Sequence, residues 1–349
     1  LPYERTLKTS APSFTKNFLS EHEHPLVKKI AKAREINKAH TTFIDTILRY
    51  EHKGRIHADI NQIRSDQGGT VTGRFSYSNP NLQQIPARNK DLGPMIRSLF
   101  IPEENCTWGC FDYSQQEPRL VVHFASTTAG IKEDPSVKEI VDNYASNDID
   151  FHKTVADMAG IDRIQAKTIN LGLFYGMGKA KLQAELGLST KQEAEALFNQ
   201  YHDRVPFVRN LMQETSRWAS REGEIRTLLG RGCRFNKWEP AQFGMHTPMT
   251  WEDAVKKYGE NRIRRAFTYK ALNKLIQGSA ADMTKKSMLD LYKEGIIAHI
   301  QIHDELDLSV ESPEQAKKVV EIMENAVKLD VPNKVDYESG KNWGDIYDK

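Results

Sequence analysis

The feature that most constrains this 349-residue chain is an alternating apolar stretch near its end, interrupted by three polar residues. Ile296, Ala298, Ile300 and Ile302 alternate with Ile297, His299 and Gln301, and Leu306, Leu308 and Val310 alternate again beyond His303-Asp304-Glu305. A period of two marks strands with one buried face, so the stretch predicts a hairpin with an acidic tip. Far upstream, Trp108 to Asp112 reads as a buried strand that also ends on a carboxylate, with a helix following from about Gln116. An aspartate at the end of an apolar strand loses hydration unless a partner compensates it. Two acidic strand ends could converge on a shared cation pair, and Mg2+ suits such a site because it keeps open positions for phosphates. Taken singly, each acid reads more readily as a turn or cap residue. The pair gains force only with a third element.

That element is Arg163-x3-Lys167-x3-Leu171-x3-Tyr175. A step of four residues turns a helix by about 400°, so the four side chains drift about 40° per step and share one face. Such a face can set cations against a triphosphate and a flat apolar end against a base pair, and His152 just upstream adds a further phosphate donor. By itself the helix reads equally as a surface helix with scattered basic residues. A fourth segment, Thr72 to Pro86, is dense in amides, hydroxyls and arginine, groups that suit phosphate and minor-groove contacts. A generic polar loop is its plainer reading.

The remaining organisation predicts an α+β chain in which a sheet domain is interrupted by an inserted helical one. Pro25 to about Tyr50 reads as one long helix, with Lys28, Lys29, Lys32, Arg34 and Lys38 forming either a solvated face or a face along a phosphate backbone. Thr190 and Glu193 make a capping box for a long helix. The stretch 236–262 reads as an irregular insertion, 279–293 as a helix stopped by Gly295, and 313–329 as one more helix. The net charge of +2 hides its distribution, because a site that handles nucleic acid needs acidic and basic surfaces together. Three cysteines argue against a disulfide framework, and the spacing of Cys106 and Cys110 does not suit zinc. A reducing, intracellular setting is expected, with no membrane partner, since no apolar run approaches the roughly 20 residues of a membrane helix. The chain starts without Met or a signal peptide and reads as a fragment or processed product.

These residues resemble the polymerase region of family A DNA polymerases, the DNA polymerase I type. Asp112-Tyr113-Ser114-Gln115-Gln116-Glu117-Pro118-Arg119 resembles that family's motif A, Arg163 to Gly176 its motif B, and Gln301 to Glu305 its motif C. Thr72–Pro86 is similar to its primer-template segment, and Asn273-x3-Gln277-Gly278-Ser279-Ala280-Ala281-Asp282 to its template-side helix. Five motifs in order over nearly the whole chain are highly specific.

The resemblance implies a right-hand polymerase with an antiparallel palm sheet, helical fingers and a partial helical thumb. The corresponding bounds are 1–55 for the partial thumb, 56–130 and 265–349 for the palm, and 131–264 for the fingers. It implies two Mg2+ ions, with Mn2+ able to substitute, held by Asp112, Asp304, the Tyr113 carbonyl and Glu305. Arg163, Lys167 and His152 would hold the triphosphate, Gln115, Leu171 and Tyr175 would line the nucleotide site, and Glu117 would block a ribose 2′-hydroxyl. Arg74, Asn81, Gln83, Arg88, Asn273, Gln277 and His303 would contact primer-template DNA. A monomer is implied, with any exonuclease domain or processivity factor outside this chain. The rival readings are a single-subunit RNA polymerase, which Glu117 opposes, a metal-dependent nuclease, and a non-catalytic primer-template-binding fragment.

The chain departs from the family pattern at Gln116 and Pro118, at Tyr269, where bacterial members often carry arginine, and at 236–262, which looks more like phage-encoded members. Leu171 stands where Phe or Tyr is usual. Leucine fills space without a hydroxyl, so the chain is expected to discriminate against dideoxynucleotides as a Phe enzyme does. Competition between dideoxy- and deoxynucleotides in primer extension checks this, and equal incorporation refutes it.

Overall fold

The computed structural model describes residues 3–347 apart from 7–8, 16–17, 20–21, 66–67, 87–88, 90, 147–149, 175–178 and 243. Arg88 and Tyr175 therefore lie outside the described residues, and so does the Leu171 side chain. The first long helical run is α1 (Pro25–Lys38), a π-helical turn over Ala39–Ile44, and α2 (Asp45–Tyr50). The expected single helix is thus continuous in course but widened in its middle. The wider turn buries Ala39 against a cluster that includes Phe43 and Ile47, whereas Leu26, Ile30 and Ile36 on α1 stay exposed.

A short hairpin of β1 (Asp59–Asn61) and β2 (Ser76–Ser78) leads to β3 (Thr107–Tyr113) and α3 (Gln116–Thr127). The helical block then runs through α4 (Pro135–Ser146), α5 (Phe151–Ala159), α6 (Arg163–Phe174), α7 (Lys191–Arg204) and α8 (Pro206–Glu222). The Thr190–Glu193 capping box is present at the start of α7. Pro206 opens α8, where its missing N–H costs nothing. Gly223 closes α8 at φ 74°, a left-handed conformation that glycine adopts without strain.

The segment expected to be irregular carries regular elements among its described residues. After the hairpin of β4 (Glu224–Arg226) and β5 (Gly232–Arg234) come β6 (Trp238–Pro240), α9 (Trp251–Tyr258) and β7 (Ile263–Arg265). β6 pairs antiparallel with β7, and the Thr250 hydroxyl caps α9. Pairing across a long loop was hidden because strands of three residues carry too little alternation to read.

The chain ends with α10 (Ala271–Lys293), β8 (Ile300–Ile302), β9 (Glu305–Val310), α11 (Pro313–Asn325) and β10 (Val335–Gly340). Helix α10 starts eight residues earlier than expected. Gly278 does not break it, because a Cβ there would come within 2.7 Å of Thr227 Cγ2. The glycine marks close packing inside the helix. The four-stranded sheet runs β8–β9–β3–β10 and is antiparallel throughout. On one face Phe111, Tyr113, Leu306, Leu308 and Val310 join a core that continues through α3, α10 and α11 into the helical block at Phe151, Ile169, Tyr201 and Phe207. On the other, Trp108, Cys110 and Ile300 pack with Tyr77, Leu82 and Trp343. The sheet and the helical block therefore share one core.

Within the helical block, His202 is 4% exposed and neither ring nitrogen has a hydrogen-bond partner. Phe198 and Tyr201 meet its ring edge-on, with centroids 4.2 and 5.3 Å away. Burial lowers its pKa to about 4, reinforced by Arg209 and opposed by Asp203. The folded protein therefore holds this ring neutral where the unfolded chain, at 6.5, binds a proton. Stability from this site is fully present above the unfolded value and is lost as pH falls through it toward about 4, by roughly 3 kcal/mol at most. Urea midpoints near about pH 7.5 and about pH 5 are expected to converge for His202→Leu relative to wild type. An unchanged difference between the two pH values would show that the ring carries no such linkage.

Candidate active site

Strand β3 ends beside the hairpin tip between β8 and β9. The register pairs Glu305 with Asp112, and the Tyr113 N–H donates to the Asp304 carbonyl at 3.3 Å. Asp304 is thereby set next to Asp112, although nearly two hundred residues separate them in the chain. His303 sits at the tip with φ 56°, and its carbonyl accepts from the Gln301 side-chain amide at 2.6 Å. The side chain of Tyr113 points into the core, where its hydroxyl bonds Ser287 and the Met323 carbonyl. Only the main chain of Tyr113 is offered to the site.

The acids press on one another. Burial raises the Asp112 carboxyl well above its ordinary range, and Asp304, Glu305 and Asp336 add to the rise. Burial also raises Asp304, opposed by Arg74 and reinforced by Glu117 and Glu305. Asp336 is a member that sequence reading missed. It lies across from Asp112 on β10 and near Lys334, and only the strand register reveals it. Crowded carboxylates at the edge of a buried strand offer hard oxygen donors, a set that fits Mg2+. The Glu305 carboxyl is turned along the sheet toward Asp307 and Cys110, whose ligand atoms lie within 4.8 Å of its own. Asp307 is fully buried, and its Oδ1 accepts from the Trp108 indole N–H at 3.1 Å.

Charged and polar side chains surround the acids. Arg74 donates to Glu117 at 2.5 Å, with both side chains largely shielded. This pair fixes the Glu117 carboxylate at the first turn of α3. His303 is lowered by burial and by Arg74, opposed by Glu117 and Glu305. Gln83 donates its amide to the Gln301 carbonyl at 3.3 Å, which ties the Thr72–Pro86 loop to the hairpin. Asn81 is half-buried with its Oδ1 unpartnered, and Asn273 and Gln277 are half-buried on α10.

The cationic face of α6 is held from below. Arg163 donates to Asp150, which also caps α5 through the N–H groups of His152 and Lys153. Lys167 is exposed. His152 is buried, and its Nδ1 faces the Asn170 amide at 3.2 Å, while the Asn170 oxygen accepts from the Tyr201 hydroxyl. Burial lowers His152 to about 4, opposed by Asp150 and reinforced by Lys167 and Arg163, so the ring is neutral near pH 7. Asn170 was missed because an amide three residues after a lysine carries no signal until its partners are known. Gln115 adopts φ 54°, and its side-chain oxygen accepts from the Phe151 N–H at 2.7 Å. That bond joins the acidic strand end to the helix that carries His152.

Arg231 is another residue that sequence reading passed over. Its guanidinium reaches Asp282 at 2.9 Å, the Thr72 carbonyl at 2.8 Å and the Gly278 carbonyl at 2.9 Å. It therefore clamps the loop that carries Arg74 onto α10. Gly73 is required beneath it, since φ is 85° and a Cβ would lie 2.6 Å from the guanidinium.

Asp282 is 8% exposed and its second oxygen has no partner, so removing Arg231 strands a buried carboxylate. Arg231→Ala is expected to cost about 2–4 kcal/mol, reduced from the fully buried case because the arginine is partly exposed. The double variant Arg231→Ala/Asp282→Ala should recover about 1–2 kcal/mol in a denaturation cycle. Strict additivity would mean the two do not interact.

Comparisons with known proteins identify the family. The family model for DNA polymerase family A matches residues 1–345. A DNA-directed DNA polymerase of Pseudomonas phage M6 is 34% identical over 95% of this chain and 53% of its own length. The thermostable DNA polymerase I of Thermus filiformis is 35% identical over 98% of this chain and 39% of its own. Among solved structures, the POL domain of Pol1 from M. smegmatis in complex with DNA primer-template and dNTP superposes with a TM-score of 0.76 at 28% identity, covering 99% of this chain and 59% of that one. This chain spans about half or less of the length of these curated relatives.

Proposed function

Since this chain belongs to DNA polymerase family A, we propose that it extends a primer 3′-hydroxyl with deoxynucleotides under the direction of a template. The right-hand polymerase fold is common to it and its structural relative. We assign residues 1–55 to a partial thumb, 56–130 and 265–349 to the palm, and 131–264 to the fingers. The sheet supports that division, because its four strands come only from the two palm segments.

The observation that carries the proposal is the meeting of Asp112 and Asp304 at one end of the sheet's central strands. Together with the Tyr113 carbonyl and Glu305, they would hold two Mg2+ ions, whose chemistry is to acidify the primer hydroxyl and steady the leaving oxygens. The primer 3′-oxygen attacks the α-phosphorus, the bond to the bridging oxygen of the β-phosphate breaks, and pyrophosphate leaves. Arg163 and Lys167 offset charge on the departing group, and Lys167 supplies a proton to it. His152 enters as a neutral donor, since its Nδ1 is taken up by Asn170. Glu117, whose carboxylate is held by Arg74, would exclude a ribose 2′-hydroxyl. Primer-template DNA and deoxynucleoside triphosphates are the partners this reading requires.

Primer extension with Mg2+ and four deoxynucleotides tests it. Asp112→Ala is expected to lose on the order of 10^3 or more in rate, since several kcal/mol of charge stabilisation disappear. Chelation of the metal should abolish extension, and Mn2+ should restore it. Glu117→Ala should extend with ribonucleotides that the wild type rejects. Tight primer-template binding without extension by the wild type would favour a DNA-binding fragment instead.

A further inference from the structure

One cavity among the described residues lies away from the acidic strand ends. It is a cleft of about 840 Å3 between the end of α8, the β4–β5 hairpin and α10. Arg221, Arg226, Arg234 and Arg265 line it, against Glu222 and Glu224. Trp218, Ile225 and Phe124 supply an apolar floor. The surrounding sequence has the same bias. From Arg217 to Lys274 there are 13 Lys and Arg against 6 Asp and Glu, a net +7 inside a chain of net +2.

The wall of this cleft is built for its arginine. Arg265 donates to the Ser220 carbonyl at 3.2 Å and the Phe235 carbonyl at 3.0 Å, and its guanidinium lies 4.6 Å from the Trp238 ring centre. Gly223 makes room, because a Cβ there would stand 2.6 Å from the Arg265 guanidinium. The other three arginines are more than half exposed and lean on Glu222 or Glu224. Exposed pairs of that kind are weak and exchange readily for a better anion. Arginines beside an indole over an apolar floor suit a flexible polyanion that carries flat bases.

We propose that this cleft holds the single-stranded template ahead of the polymerisation site, with Arg221, Arg226 and Arg234 on its phosphodiesters and Trp218 against a base. The proposal rests on the polymerase reading above. Leu275 lines the cleft and is flanked in sequence on α10 by Asn273 and Gln277, residues assigned to primer-template DNA. A strand passing those residues needs only to cross one helix, about 10 Å, to reach the cleft mouth.

Binding of two primer-templates, with one-nucleotide and with about ten-nucleotide 5′ template overhangs, tests this by fluorescence anisotropy across a salt series. The wild type is expected to bind the long overhang at least about fivefold tighter, with a log–log salt slope steeper by about 2, as three phosphate contacts on a single strand require. Arg221→Gln/Arg226→Gln/Arg234→Gln should lose that gain while binding the short overhang as the wild type does. Trp218→Leu should lose part of it. Circular dichroism and melting of each variant establish that it is folded. Equal affinity of the wild type for both overhangs overturns the proposal, and so does equal weakening of both substrates by the triple variant. Loss of the length advantage in the presence of inorganic tripolyphosphate at low concentration would instead mark a small-anion pocket and also overturn it. Wild-type extension of the short overhang reports separately on the polymerase reading, which fails if no extension occurs whatever the overhang binding shows.

Discussion

The antiparallel pairing of β9 with β3 is the constraint on which the rest of the molecule depends. It sets Glu305 opposite Asp112 and brings the Asp304 carbonyl to the Tyr113 N–H. Side chains alternate across a strand, so a slip of one residue would send Asp112 into the helix-packed core and Phe111 to the face covered by Tyr77, Leu82 and Trp343. The register is defended by packing. Phe111 stacks on Tyr337 at 4.7 Å between ring centres, and Gly109 leaves room for Val310, whose Cγ2 would stand 2.5 Å from any added Cβ. The acids are therefore held at the strand ends by apolar contacts on the opposite face, and their mutual repulsion is tolerated because the strands cannot move apart.

A second level of organisation is made by polar clamps that cross between segments. Gln115 ties the acidic strand end to the start of α5, and Arg231 ties the Thr72 loop to α10. Arg74 then meets Glu117 across that tied loop. Gln115 and Arg231 both take backbone groups as partners, and Arg231 adds the Asp282 carboxylate. The cationic face of α6 is organised separately, through Asp150 and the His152–Asn170–Tyr201 chain. Among the described residues no hydrogen bond or ion pair joins Arg163 or Lys167 to the acids. The two halves of the site are linked through the Gln115 contact and the shared core.

The conformations of individual residues explain several sequence details that pattern alone leaves arbitrary. Gly73, Gly223 and Gly278 each lie where a Cβ would strike a neighbour, and in the first two the backbone is also left-handed. The neighbour is Arg231 or Arg265 at Gly73 and Gly223, so these glycines and arginines form matched sets. An arginine whose guanidinium lies flat against the backbone needs a residue without a side chain below it.

The acidic hairpin, the buried strand before it, the capping box at Thr190 and the four-residue spacing of the α6 cations were legible from the sequence because each is a local pattern with its own period. The resemblance to a polymerase family was legible for the same reason, since its motifs are short and ordered. Tertiary structure alone decided that Asp336 joins the acids, that Arg231 and Gln115 act as clamps, that α10 runs through Gly278, and that 236–262 folds into a hairpin with a helix. In each case the determining partner lies tens to hundreds of residues away. A side chain's role there is set by what the completed core brings against it, and no local period in the chain records that contact.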